Sequence, residues 1–177
     1  MGFIGTNPVG VVGVPTDTYA STDSKQPHLG NAAFYVNSSG YWSVLKFVEI
    51  VDGCSKGDVL VKDNDQNPPY NLVTSATADG GMPVFRGIAA ATIASGKRGW
   101  AYCGGYCPDA NMPTAFASGV VLRISATYAG RLSSAVVNDS AACTATLLIH
   151  PVALSLDANT VSTANSTGSI MIYGMYL

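Results

Sequence analysis

Apolar and polar positions alternate over short runs along most of this chain, and turn-forming residues separate the runs. The strongest run is 41–51, YWSVLKFVEIV. It is rich in β-branched and aromatic residues and reads as a strand, with Trp42, Val44, Val48 and Ile50 on one face and Lys46 intruding. Gly53 to Gly57 punctuates the chain, and Asp58 to Lys62 (DVLVK) is a shorter alternating run. The stretch 63–69 (DNDQNPP) is a loop, 70–74 a further short strand, and Gly80-Gly81 a turn. Residues 84–93 (VFRGIAAATI) fit either a strand or a short helical turn, and Gly87 with its flanking turns favours the strand. Residues 98–106 form a Gly-rich strand. In 119–124, Val120, Leu122 and Ile124 face one way, Val121 and Arg123 the other. A Tyr-Ala-Gly-Arg turn lies within 126–133, TATLLIH (144–150) is a strand ended by Pro151, and GSIMIY (168–173) is the last strand. Residues 141–145 and 154–159 each fit at most one helical turn. No long amphipathic helix and no internal repeat stands out. Strands and turns alternate about every ten residues, which signals an all-β barrel or sandwich.

The first 31 residues read differently. Gly2, Gly5, Pro8, Gly10, Gly13, Pro15 and Pro27 interrupt any regular element, and 16–26 is polar. Yet Val9, Val11, Val12 and Val14 are apolar and need cover. The expected organisation is an extended N-terminal arm over 1–31 and one β-barrel-like domain over 32–177. Phe3, Ile4, Val9, Val11, Val12 and Val14 are the candidate contacts of the arm with another subunit or protein. A first edge strand of the same domain would cover the valines equally well. Trp42, Phe47 and Trp100 are the candidate core aromatics.

Composition narrows the function classes. The chain has 177 residues, so one domain is the default. Charged residues make up 11% of it, against about 25% in an ordinary soluble domain. Nine basic residues against 11 acidic ones leave a net charge of −2, which argues against non-specific nucleic-acid binding. Apolar residues at 47% are enough for a core, so disorder is not expected. No apolar stretch is long enough for a membrane span. Residues 1–14 carry no Lys or Arg and are broken by Pro8 and several glycines, so no secretory signal is expected. A charge-poor soluble chain needs hydroxyls or a large homo-oligomeric interface, and the second is preferred.

Candidate chemistry is sparse. Cys103 and Cys107 form the only close cysteine pair, and Cys54 and Cys143 are remote. Zinc needs about four ligands at short spacings, so no metal is expected. A tight turn at Gly104-Gly105 would let the pair form a disulfide. On one extended strand their Cα atoms would lie about 13 Å apart, beyond disulfide reach. The alternation of Trp100, Tyr102, Gly104 and Tyr106 favours that strand and free thiols. His28 and His150 stand in no catalytic frame, no phosphate loop or nucleophile motif occurs, and neither enzymatic activity nor a cofactor is expected. Lys56-Gly57-Asp58, Asn67-Pro68-Pro69-Tyr70 and the sequons at Asn37, Asn138 and Asn165 match short motifs by letter, but turns are made of the same residues. Tyr19, Tyr41, Tyr70, Tyr106 and Tyr128 lie in or near turns, where they would suit a protein or carbohydrate contact.

Four segments carry a family likeness: KGDVLVK (56–62), FRGIAAATIASGKRGWAYCGG (85–105), the Gly119 strand followed by SATYAGRLSSA (125–135), and STGSIMIYG (166–174). In this pattern the chain resembles the small head-decoration (cement) proteins of tailed bacteriophages, over about 30–177. The resemblance implies a β-tulip type of barrel with an N-terminal arm. It implies a structural virion protein, made in the host cytoplasm and displayed on the outer capsid surface, usually as a trimer and in some cases as a dimer or monomer. Its partners would be the major capsid protein and further copies of itself, with no nucleic acid and no membrane. It would bridge coat subunits and stabilise the shell. The alternative is a head- or tail-fibre domain that binds a host surface glycan, which an exposed cluster of Trp and Tyr would favour.

Overall fold

Short β-branched runs between glycine-marked turns become strands. The computed structural model describes residues 2–3, 16–62, 71–74, 85–112, 117–125, 128–134, 151–158 and 166–173. In chain order the strands are β1 (Gly2–Phe3), β2 (Thr18–Ala20), β3 (Ala32–Val36), β4 (Trp42–Ile50), β5 (Val59–Lys62), β6 (Asn71–Thr74), β7 (Phe85–Ala89), β8 (Lys97–Met112), β9 (Val121–Ile124), β10 (Leu132–Ser134), β11 (Ala153–Ser155) and β12 (Ser166–Ile172). None of the described residues is helical. The all-β expectation is therefore borne out. Residues 154–159, read as at most one helical turn, instead begin within β11, which pairs with both β12 and β9. Tertiary pairing decides so short a segment.

All the strands share one sheet, which runs β1-β3-β4-β6-β5-β7-β8-β12-β11-β9-β10, with β2 added on β8. Every pairing is antiparallel except β4 with β6. The sheet as a whole is not closed, and β1 and β10 end it. Within it, the additional pairing of β4 with β8 completes a ring of five strands, β4-β6-β5-β7-β8.

That ring explains why β4 and β5 are buried on both faces. Val48, Ile50, Leu60, Leu72, Ala89 and Ala101 pack together with Cys54 and Ile93, and each ring strand contributes to the set. Alternation along the strands sends Leu45, Phe47, Val59, Val61, Ile88, Trp100 and Tyr102 the other way. There they join Leu122, Leu132, Val152, Ile170 and Ile172 in the larger core. A strand buried on both sides reads as a nearly continuous apolar run, which is what 41–51 shows.

Two of the three candidate core aromatics lie in the larger core. Phe47 and Trp100 oppose each other across β4 and β8, with ring centroids 5.2 Å apart. Trp42 does not, and the expectation for it is corrected: it is 53% exposed. Alternation turns it away from Leu45 and Phe47. The ring of strands cannot cover it either, because β6 meets β4 only at Glu49 and Ile50, at the far end of the strand.

Among the described residues, the stretch read as an arm is anchored to its own chain at several places. Gly2 and Phe3 pair with Val36 and Tyr35, and Thr18–Ala20 pairs with Gly99–Lys97. Tyr19 packs edge-on against Phe47 at 5.5 Å. The Gly30 amide donates to the Phe47 carbonyl, and the Phe47 amide to that of Asn31. Ile4, Val9, Val11, Val12 and Val14 lie outside the described residues, as do Cys143, His150 and the segments 63–69 and 144–150.

β8 runs past Tyr106 to Met112, further than its alternation suggests. Ile170 pairs with Cys107 and Gly168 with Ala110, so Pro108 and Asp109 together face the single residue Ser169. The bulge accommodates a proline that has no ladder N–H to give. Cys103 and Cys107 consequently stand on one extended strand as free, buried thiols.

Candidate functional site

The most distinctive surface lies where β3, β4, β8 and β12 run side by side. The β3–β4 hairpin turns at Asn37, whose side-chain oxygen accepts from the amides of Ser39 and Tyr41, both at 2.9 Å. Gly40 completes the turn with φ +83°. The Asn37 sequon is thus part of a turn built by its own side chain.

This hairpin presents Phe34, Tyr41 and Trp42, which are 49%, 50% and 53% exposed. Phe34 opposes Val44 and Val36 opposes Trp42, so these four share one face. Beneath Trp42 lies Gly105, a strand residue with φ +74°. A Cβ at Gly105 would sit 2.8 Å from the six-membered ring of Trp42 and 2.6 Å from its carbonyl oxygen. The indole therefore rests directly on the β8 backbone. Only glycine combines that φ with that closeness. A register shift between Val44 and Leu45, at this same point in the β4–β8 ladder, accompanies it.

Tyr41 stacks on Tyr106, with centroids 4.8 Å apart and planes 18° from parallel. The Ser43 hydroxyl donates to the Tyr106 carbonyl at 2.5 Å, holding β4 to β8 under the stack. Ser169 donates its hydroxyl to Asp157 and bonds the Tyr106 side chain. Burial raises the Tyr106 phenol above its ordinary value, with the bond it shares with Ser169 acting in the opposite direction. Met171 opposes Tyr106 on β12. The result is a row of aromatic residues in which Trp42 is seated on Gly105 and Tyr41 on Tyr106, beside a serine–carboxylate pair.

Inward on the same face of β4, Lys46 is 8% exposed. Burial lowers its ammonium below the ordinary lysine value, nearby Cys103 opposes that, and Arg86 adds to it. This cation faces the packed ring rather than solvent.

The other sequence candidates have structural places. Gly57 donates its amide to the Ala89 carbonyl and accepts from the Asn111 amide, both at 2.9 Å. The Asp58 carboxylate accepts from the Ser55 amide at 2.7 Å and from Asn111 Nδ2 at 2.8 Å. Lys56 pairs with Asp109 at 2.7 Å. The Lys56-Gly57-Asp58 tripeptide is thus bonded inward as a strut between β5 and β8. His28 is an exposed turn residue whose carbonyl accepts from the Asn31 amide. Among the described residues, no three His, Cys, Asp or Glu side chains gather to hold a metal ion. The aromatic row was legible only as scattered tyrosines; the glycine pair before Tyr106 was the one signal that something lies flat on β8.

Burial sets the state of the thiols. It pushes Cys54 and Cys107 up to about 12 and Cys103 to about 11, from an ordinary value of 9.0. The folded protein thus favours the neutral thiol more than the unfolded chain does. Stability linked to these groups is complete below about pH 9 and is lost as pH rises toward 11 and 12. The urea midpoint is expected to fall above about pH 9, as denaturation followed by circular dichroism would show. Because the thiolate is the nucleophile, iodoacetamide at about pH 8 should leave Cys54, Cys103 and Cys107 unmodified in the folded protein and label them in urea. Residue-level mass spectrometry reads that difference.

A scan against protein-family models and a search of curated proteins each find no match.

Proposed function

We propose that this chain is a structural virion protein of the head-decoration type, which coats a phage capsid and bridges coat subunits as a homo-oligomer. One observation supports the reading beyond the sequence resemblance: residues 2–3 run as the outermost strand of a large open sheet. Gly2 and Phe3 already add to β3 by main-chain pairing, at the end of the strand order. A segment so placed suits strand addition to a neighbour, where main-chain hydrogen bonds supply affinity without charge. The charge-poor composition fits the same role, because cores of permanent interfaces are depleted in charge. Each contact with the shell is weak, and many copies act together. A protein of this type has a barrel of the β-tulip kind.

Removal of residues 1–15 tests it. The truncated protein should keep its β-sheet circular dichroism, since β2 and the rest of the sheet remain, and should no longer co-sediment with capsids. Capsid binding at the wild-type level would overturn the proposal. In intact particles, mass spectrometry should find about one-third to one copy of this chain per coat protein, the range a shell-wide repeating site gives by symmetry.

A further inference from the structure

We propose that the aromatic row at Phe34, Tyr41, Trp42 and Tyr106 is a binding site for a neutral carbohydrate chain. The inference stands on this surface alone and holds whether or not the protein coats a capsid.

The rings are prepared in advance. Trp42 is seated on Gly105 and Tyr41 on Tyr106, so each offers its remaining side to solvent without rearrangement. Preorganised rings lose little conformational freedom on binding. The indole seat also requires a glycine at positive φ inside the longest strand.

The size of the row selects the class of occupant. Aromatic side chains bury about 150–250 Å² each, so three half-exposed rings offer about 300 Å². A stable protein partner needs about 800 Å² from each side. One to three sugar rings need far less. A hexopyranose has a face of C–H groups that suits an aromatic ring and a rim of hydroxyls that seek hydrogen bonds. Hydrogen-bonding groups flank the row here: exposed Ser38 and Ser39 in the hairpin turn, and exposed Asp157 with Ser169 beyond Tyr106. The Asp157 carboxylate repels anionic sugars and accepts from hydroxyls, which favours a neutral chain over an anionic one.

The test uses the full-length protein with maltohexaose, cellohexaose and chitohexaose. The chain has two tryptophans, and Trp100 is buried, so a change in tryptophan emission reports Trp42. At least one hexaose should shift the emission with a millimolar dissociation constant. It should also show saturation transfer in ligand-observed NMR. Trp42→Ala should weaken the NMR-detected binding at least tenfold, while Trp42→Phe keeps it within about threefold, since a flat ring remains. Both variants should unfold at the wild-type temperature, because the side chain lies outside both cores. Three results would each overturn the proposal: no response to any of the hexaoses, unchanged binding by Trp42→Ala, or light scattering that shows an oligomer which Trp42→Ala dissociates. The last would make the row an interface between copies.

Discussion

Phe47→Ala should destabilise the protein by about 3–5 kcal/mol, the range for truncating a fully buried aromatic side chain. Phe47 is completely buried in the larger core. Tyr19 of β2 meets its ring edge-on at 5.5 Å, and Trp100 of β8 meets it at 5.2 Å. Its backbone is fastened as well, bonding Gly30 and Asn31 in the stretch that leads into β3. The substitution opens a cavity between the main sheet and the segment laid over it. That cavity cannot collapse easily, because the Trp100 side is held by the β4–β8 ladder. Since an ordinary domain is stable by only about 5–15 kcal/mol, a large part of the total would go. Urea denaturation measures the loss. A cost under about 1 kcal/mol would show that Phe47 does not anchor this core.

Gly57→Ala should also be severe, for a different reason. Gly57 has φ +86°, and a Cβ there would stand 2.5 Å from the Asp109 carbonyl oxygen. That oxygen belongs to the bulged part of β8 and cannot swing aside as a flexible side chain would. Left-handed backbone alone costs a non-glycine residue about 1–2 kcal/mol. The clash adds to that, and it strains the bonds Gly57 makes with Ala89 and Asn111. Gly96 supplies the control. Its φ is +69°, and an added Cβ would meet nothing within 4 Å. Gly96→Ala should therefore show only the backbone cost. If the two variants unfold at the same urea concentration, the close approach at Gly57 carries no energy of its own. Removing the neighbouring Lys56–Asp109 ion pair should matter far less, because exposed pairs contribute about 0–1 kcal/mol.

The pattern of residues by itself determined the fold class and most strand positions. The run 41–51 is β4 with its ends trimmed, DVLVK is β5, and GSIMIY is most of β12. Local alternation and turn residues suffice for this, because strand formation follows side-chain period and the places where glycine and proline interrupt it. The extended path through Cys103 and Cys107 was legible for the same reason. What tertiary structure decided was which side of each strand is inside. Parity placed Trp42 with Val48 and Ile50, yet only the latter two reach the ring, since β6 meets β4 at one end alone. The strand at 153–155 is too short to have a period, and it exists because β9 and β12 pair with it. The aromatic row needed the whole sheet: Tyr41 and Tyr106 are 65 residues apart in the chain and meet only because β4 pairs with β8. Periodicity records what each residue prefers beside its neighbours. Burial depends on which strands arrive from elsewhere, and that information is spread over the entire chain.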